Sequence, residues 1–180
     1  MITEAQQLDQ VIAGCKAGDR KAQEALYRSF YKSMMNLCLR YTKNDLDAME
    51  AMNTGFYKVY KNIQKYDPQQ ATLYTWMRTI IINSCLNQAG LKENRFQTVE
   101  LSYAREIDVS PEILSTLSAA NLLKIIRQLP LATQTVFNLY IIEGYSHKEI
   151  AALLSISEGT SKWHLSDARK KLQIMINDIE

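Results

Sequence analysis

Apolar residues recur at three- and four-residue intervals along most of this chain, the spacing that lines one face of a helix. A first helix is predicted over Ala5 to Ala17, ending at Gly18. Asp19 then caps a second, with Ala25, Leu26, Tyr27, Phe30, Met34, Leu37, Cys38 and Tyr41 at helical spacing. A third begins near Asp45 and carries Leu46, Met49, Met52, Phe56, Val59, Tyr60 and Ile63 on one stripe. After a loop over residues 64–71, a fourth runs from Thr72 to Ala89, with Leu73, Trp76, Met77, Ile80, Ile81 and Cys85 apolar, and Gly90 ends it. Periodicity weakens from Leu91 to Ser118, where Pro111 interrupts it, and this stretch reads as a linker with at most one short helix. Four more helices follow: Asn121 to Leu129, stopped by Pro130; Ala132 to Ile142, stopped at Glu143-Gly144; a short one after Ser146; and a last from Glu158 toward Ile176. The expectation is an all-α chain of two small helical domains, 1–90 and 119–180, joined by a flexible linker at 91–118.

The last two helices carry the sharpest signal. Between Gly144 and Lys162 two short helical patterns flank a tight break at Ser155-Ile156-Ser157. Ser146 and Glu149 have the spacing of a capping box, and Ser157 is a second N-cap. Helix, three-residue turn, helix is the layout whose second helix enters the major groove of DNA. Leu165, Ala168 and Leu172 are expected to pack inward. Glu158, Thr160, Ser161, Lys162, His164, Ser166, Asp167 and Arg169 are left on or near outer faces. Base edges are read by donors, acceptors and small residues, which Glu158, Ser161, Lys162, Trp163, His164 and Ser166 supply. Lys162, Arg169, Lys170 and Lys171 suit phosphates. Trp163 fits equally a sugar–phosphate contact or a cover for the core. Asp167 would repel phosphate, so it is expected to face away or pair with a neighbouring lysine.

Charge modifies this picture little. The 180 residues carry a formal net charge of +2, too little for a strong free-standing electrostatic DNA binder. Residues 1–90 hold 11 basic and 8 acidic residues, 91–118 hold 3 and 5, and 119–180 hold 7 and 6. Two slightly positive modules thus flank an acidic tether. Cys15, Cys38 and Cys85 form no paired motif and read as buried, reduced thiols, with neither a metal site nor a disulfide framework. His147 and His164 have no Cys, Asp or Glu at ligand spacing, and neither a glycine-rich phosphate loop nor a serine elbow occurs. No enzyme activity, cofactor or small-molecule substrate is expected. The N-terminus lacks a signal-peptide pattern and no apolar run reaches the roughly 20 residues that span a bilayer, so a cytoplasmic protein without membrane insertion is expected. In the N-terminal half, Tyr57, Tyr60, Tyr66, Tyr74 and Trp76 interleave with Lys58, Lys61, Lys65 and Arg78. That composition suits unstacked single-stranded bases, although Trp76 and Tyr60 lie on apolar stripes and are expected in the core.

Across residues 14–175 the chain resembles the extracytoplasmic-function (ECF) sigma factors of the sigma-seventy family, specificity subunits of bacterial RNA polymerase. The C-terminal part of the resemblance rests on Leu129-Pro130, Val136, the run from Glu143 to Ala151, and Ile156 to Lys162 continuing through Leu165 to Arg169. This block is similar to sigma region four, and also to response-regulator DNA domains. The N-terminal part separates the two. Asp47 to Glu50 and Phe56 to Tyr60 are similar to the clamp-binding helix of region two. Tyr66-Asp67-Pro68, Trp76-Met77, Ile80 and Asn83 are similar to its promoter-melting segment.

The resemblance implies docking on core RNA polymerase through Asp47, Glu50, Asn53 and Thr54. It implies capture of flipped minus-ten bases by Lys65, Gln69, Gln70, Thr72, Arg78, Asn83, Asn87, Lys92 and Arg95, and reading of the minus-thirty-five duplex by Glu158, Thr160, Ser161, Lys162, Trp163, His164, Ser166, Arg169 and Lys170. Promoter DNA and an anti-sigma factor are the further implied partners, and the acidic linker would thread toward the RNA channel. Three departures from the family pattern stand out. Thr54 replaces an acidic residue. Gln88-Ala89-Gly90-Leu91 replaces a basic run, which predicts weak DNA affinity for the free protein. Trp163 and Asp167 stand where serine and arginine are common. Two other readings remain open at this point: a stand-alone helix-turn-helix regulator, and a degenerate sigma-like interaction protein.

Overall fold

A computed structural model of the chain describes residues 4–91 and 119–177. The expected linker, with Lys92 and Arg95, lies almost wholly outside the described residues. Among those described, the regular secondary structure is helical throughout.

The first four helices form one bundle. Helix α1 (Glu4–Lys16) turns at Gly18, whose φ of +78° favours a residue without a side chain. Helix α2 (Arg20–Leu39) starts at Asp19, whose carboxylate accepts from the Lys21 amide at 2.9 Å. Helix α3 (Asp45–Asn62) is capped by Asn44, which accepts from the Asp47 amide at 2.8 Å. A 3-10 turn (Ile63–Lys65) and the Asp67 loop lead to α4 (Leu73–Gln88), capped by Thr72, the residue at which the fourth helix is predicted to begin.

Helix α3 and its C-cap bury Met52, Phe56, Val59 and Ile63 of the predicted stripe, but α3 departs from it in its first turns: Leu46 is 78% exposed and Met49 44%, while Ala48, Ala51 and Gly55 are buried. The small residues share the packing face with Met52, Phe56 and Val59 because α4 lies close there: a Cβ on Gly55 would stand 3.3 Å from Ile81 Cα and overlap Ile81 Cδ1. Close approach of two helices selects small side chains, and the larger Leu46 and Met49 are turned outward.

The second half holds α5 (Ala119–Ile126), α6 (Leu131–Phe137), a π-helical turn (Asn138–Ile142), α7 (His147–Leu154) and α8 (Glu158–Asn177). The helix predicted from Ala132 to Ile142 therefore changes pitch midway. The Glu143 amide donates to the Asn138 carbonyl at 2.9 Å, and Gly144, at φ +77°, redirects the chain into α7. Leu165, Ala168 and Leu172 face inward as expected. Ile125, Ile126 and Leu129 join Ala168 and Leu172 in a small satellite core.

The two halves meet at the end of α2, where buried apolar residues of both, among them Tyr41, Val136, Leu139 and Tyr145, belong to one continuous core and polar groups pair beside it. The Arg40 carbonyl, an unfilled acceptor at a helix terminus, accepts from Gln134 Nε2 at 2.8 Å and from Asn138 Nδ2. Lys43 Nζ donates to the carbonyls of Arg127 (2.7 Å) and Leu129. Arg127 in turn reaches Asp45 at 3.1 Å and the Thr42 carbonyl at 3.3 Å. The Glu143 carboxylate, fully buried, pairs with Arg40 at 3.0 Å and with Arg78.

Candidate nucleic-acid and polymerase interfaces

The helix-turn-helix forms as its sequence predicts. Ser146 Oγ accepts from the Glu149 amide at 3.2 Å, and Glu149 Oε2 accepts from the Ser146 amide at 2.8 Å, completing the capping box. Ser155 ends α7 in the left-handed region at φ 56°. Ser157 Oγ then accepts from the Thr160 amide at 2.9 Å and starts α8. The turn is thus fixed by two caps and one left-handed residue rather than by glycine.

Helix α8 sorts its predicted contacts. Glu158, Thr160, Lys162, Trp163, Ser166, Arg169 and Lys170 are exposed, and Lys162, Ser166 and Arg169 fall three or four residues apart on one outward strip. Trp163 is 61% exposed and meets His164 edge-on at 4.9 Å, so it does not cover the core. Ser161 is placed differently from the expectation. It is fully buried, with Oγ 2.9 Å from His147 Nδ1, and the His147 ring stacks on Tyr140 at 4.4 Å. Its side chain braces α8 against α7 instead of facing solvent, because position 161 lies four residues before the core residue Leu165 and shares its face.

His164 is half-buried. Its Nδ1 lies 3.0 Å from Thr133 Oγ1, which donates to Asp167 Oδ2 at 3.2 Å. With the threonine proton committed to Asp167, His164 Nδ1 is the donor of that pair. Asp167 also accepts from Lys171 at 2.7 Å, the neighbouring lysine expected for it. That hydrogen bond, first among several causes, holds the Asp167 carboxyl below the usual carboxylate range. Burial lowers both histidines below their ordinary value: the Lys162 cation adds to the effect at His147, and Asp167 opposes it at His164.

In the first bundle the predicted minus-ten residues divide. Lys65, Gln69, Gln70, Thr72 and Asn87 are exposed, and Arg78 and Asn83 are partly covered. Asp67 organises the loop by accepting from the Gln69 amide (2.9 Å) and Gln70 Nε2 (3.2 Å). Tyr66, its hydroxyl donating to the Ala71 carbonyl at 3.2 Å, is buried beneath the loop and packs on Trp76 at 5.4 Å. Tyr57 and Tyr74 are exposed. Tyr60 is half-buried, its hydroxyl donating to the Gln23 carbonyl at 2.9 Å, and burial pushes that hydroxyl up to about 12.

On α3, Glu50, Asn53 and Thr54 line the outer face, with Asp47 partly covered at its N-terminal end. Glu50 accepts from Gln88 Nε2 at 3.0 Å, and Asn53 accepts from the Tyr27 hydroxyl at 3.1 Å. Leu46, Met49 and Tyr57 extend the same exposed face, and none of them is among the residues expected to dock on polymerase. The signal for them was the alanine–glycine stripe at Ala48, Ala51 and Gly55, which marks the opposite side as the packing face.

Two family descriptions match the chain: sigma-70 region 2 over residues 26–93 and sigma-70 region 4 over residues 119–172. The ECF RNA polymerase sigma-E factor of Haemophilus influenzae is 24% identical over 174 residues, spanning 90% of this chain and 91% of that protein. The RNA polymerase sigma-H factor of Pseudomonas aeruginosa is 24% identical over 184 residues, spanning 96% and 94%. Among solved structures, the sigma factor RpoE in complex with the anti-sigma factor NepR from Bartonella quintana shares the fold. Its TM-score is 0.54 and its identity 17%, over 86% of this chain and 96% of that one. With both regions matched in order and relatives aligned over most of their length, the chain belongs to the ECF group of sigma-70 family RNA polymerase sigma factors.

Proposed function

We propose that this chain is an alternative initiation factor that directs bacterial core RNA polymerase to a limited promoter set. Residues 1–90 dock on the polymerase and open the minus-ten element, 91–118 form the linker, and 119–180 read the minus-thirty-five duplex. Docking uses the outer face of α3, where Asp47, Glu50, Asn53 and Thr54 supply polar groups beside the exposed Leu46 and Met49. Interfaces draw affinity from apolar side chains ringed by polar ones. The Asp67 loop with Gln69, Gln70 and Thr72, then Arg78, Asn83 and Asn87 on α4, receive flipped bases; extrusion costs a few kcal/mol and selects readily unpaired sequence. The strip Lys162, Ser166, Arg169 and Lys170 lies along phosphate and base edges, with Trp163 beside it.

The observation that carries this reading is the pairing, in one chain and in family order, of a capped helix-turn-helix with a bundle that leaves a mixed apolar and polar helix face uncovered. The chain itself is no enzyme on this reading: the polymerase catalyses, and this subunit provides address and melting in the cytoplasm. An anti-sigma factor is the expected regulator. One solved relative of the same fold is bound to such a protein.

The test is co-elution with bacterial core polymerase at micromolar concentration. Wild type is expected to co-elute, and Leu46→Lys and Glu50→Lys, both on exposed positions, to weaken binding at least tenfold while helical content is unchanged. Absence of wild-type binding overturns the proposal.

A further inference from the structure

Trp163 stands on the outermost line of α8. Ser161, Leu165, Ala168 and Leu172 are buried and mark the packing face of that helix. At about 100° per residue, Trp163 falls about 180° from their mean direction. Gly159 lies one turn before it and Ser166 nearly one turn after, both exposed, so the indole protrudes between two small residues. Lys162 and Arg169 sit about 100–120° round the helix from it. With those two cations along a phosphate wall, Trp163 points at the base edges of the groove.

The indole is also held. Its ring meets His164 edge-on, with centroids 4.9 Å apart and planes at 72°. His164 Nδ1 lies 3.0 Å from Thr133 Oγ1, and Thr133, buried on α6, donates to Asp167 Oδ2 at 3.2 Å. Lys171 closes the chain by donating to Asp167 at 2.7 Å. A side chain fixed before binding loses less freedom on binding. Trp163 and Asp167, both departures from the family pattern, thus belong to one device: an apolar reader and its support.

The chemistry of the ring selects the base. An indole presents one donor, Nε1–H, beside an apolar surface. In the major groove thymine alone sets an acceptor, O4, next to an apolar group, its C5 methyl. Guanine shows two acceptors, adenine an acceptor and a donor, and cytosine a donor. We propose that Trp163 is a specificity-determining residue that reads thymine in the upstream duplex through its methyl and O4, and that His164, Thr133 and Asp167 are positioning residues that orient the indole. This inference rests on the proposed function, in which α8 enters the groove of that duplex.

The test uses the full chain with core polymerase. Transcription of genomic DNA from the source bacterium first gives the upstream element shared by the new 5′ ends. A promoter duplex is then made with each thymine of that element replaced in turn by deoxyuridine, which lacks only the methyl. Wild type is expected to bind about fourfold more weakly at one or two of these positions, the worth of one buried methyl. Trp163→Ala should bring that ratio to about one, and Trp163→Phe, which keeps the apolar ring, should retain most of it. Thr133→Val and Asp167→Ala should lower the ratio below twofold; a merely structural role would weaken thymine and deoxyuridine promoters alike. If Thr133→Val loses helix by circular dichroism, the partly exposed Asp167→Ala carries the positioning test. An element without thymine, a wild type that tolerates deoxyuridine everywhere, or a Trp163→Ala ratio equal to that of wild type overturns the reading of thymine. A full ratio in Asp167→Ala overturns the positioning role. Absence of any new 5′ end would instead overturn the proposed function, and this inference with it.

Discussion

Individual residues show where chemistry of one side chain decides an outcome. His147 and His164 are both lowered by burial. A histidine whose folded-state value lies below its unfolded one binds fewer protons when folded, so its contribution to stability is full above the ordinary value near 6.5 and is lost as pH falls below it. The melting temperature is therefore expected to fall between pH 7 and pH 5, before carboxylates titrate, and His147→Gln with His164→Gln should flatten that slope. Proton titration of both imidazoles by NMR should give midpoints below 6.5; midpoints at or above it would contradict the account. Ser161 separates structure from recognition. Ser161→Ala removes the partner of His147 Nδ1 and should cost about 1 kcal/mol in denaturant titration while leaving the salt dependence of duplex binding intact. Lys162→Ala and Arg169→Ala should each lower that salt slope by about one and weaken binding to all sequences alike. The burial of Ser161 was not legible because polarity marked it as a reader of bases, whereas its helical phase with Leu165 decides its position. Asp167 was legible, since an acid four residues before Lys171 has an obvious partner.

Helices and turns were largely readable where local rules act alone. Asp19, Asn44, Thr72, Ser146 and Ser157 all accept from the amides two or three residues on, and such caps are local events that a sequence states directly. Ser146→Ala should cost about 1 kcal/mol of C-terminal stability. Ser155→Gly should add a few tenths to about 1 kcal/mol by relieving a left-handed serine; thermal melting compares the two. On α3 the burial of Met52, Phe56, Val59 and Ile63 was legible, but Leu46 and Met49 were misplaced because a count of large apolar residues ignores how closely the neighbouring helix lies. Gly55→Ala tests this: helix propensity favours alanine by up to about 1 kcal/mol, yet a Cβ there would overlap Ile81, including approach to its Cα at 3.3 Å. Overpacking costs typically 1–3 kcal/mol, so a net loss of stability is expected, and a gain would mean the packing face is wrong. The π-helical turn was equally illegible, because Ala132 to Ile142 keeps helical spacing and the extra residue per turn is selected by contacts with α2.

For the whole molecule, the seam between halves is the feature furthest from the sequence. Lys43, Asp45 and Arg40 meet Arg127, Gln134, Asn138 and Glu143 only after both bundles fold, and no spacing rule links residues about a hundred positions apart. What the sequence did carry was the order of modules: a bundle with an outward mixed face, an acidic stretch, then a capped helix-turn-helix. That order is what makes the chain a sigma factor rather than an isolated DNA reader, and it predicts a dependence on polymerase that a stand-alone regulator would lack. The most direct test is transcription in vitro on total genomic DNA from the source bacterium with core polymerase, with and without this chain, followed by mapping of RNA 5′ ends. The account predicts a small set of new, discrete 5′ ends that share two upstream sequence elements and vanish when the chain is omitted. No new 5′ ends above those of core polymerase alone would contradict it.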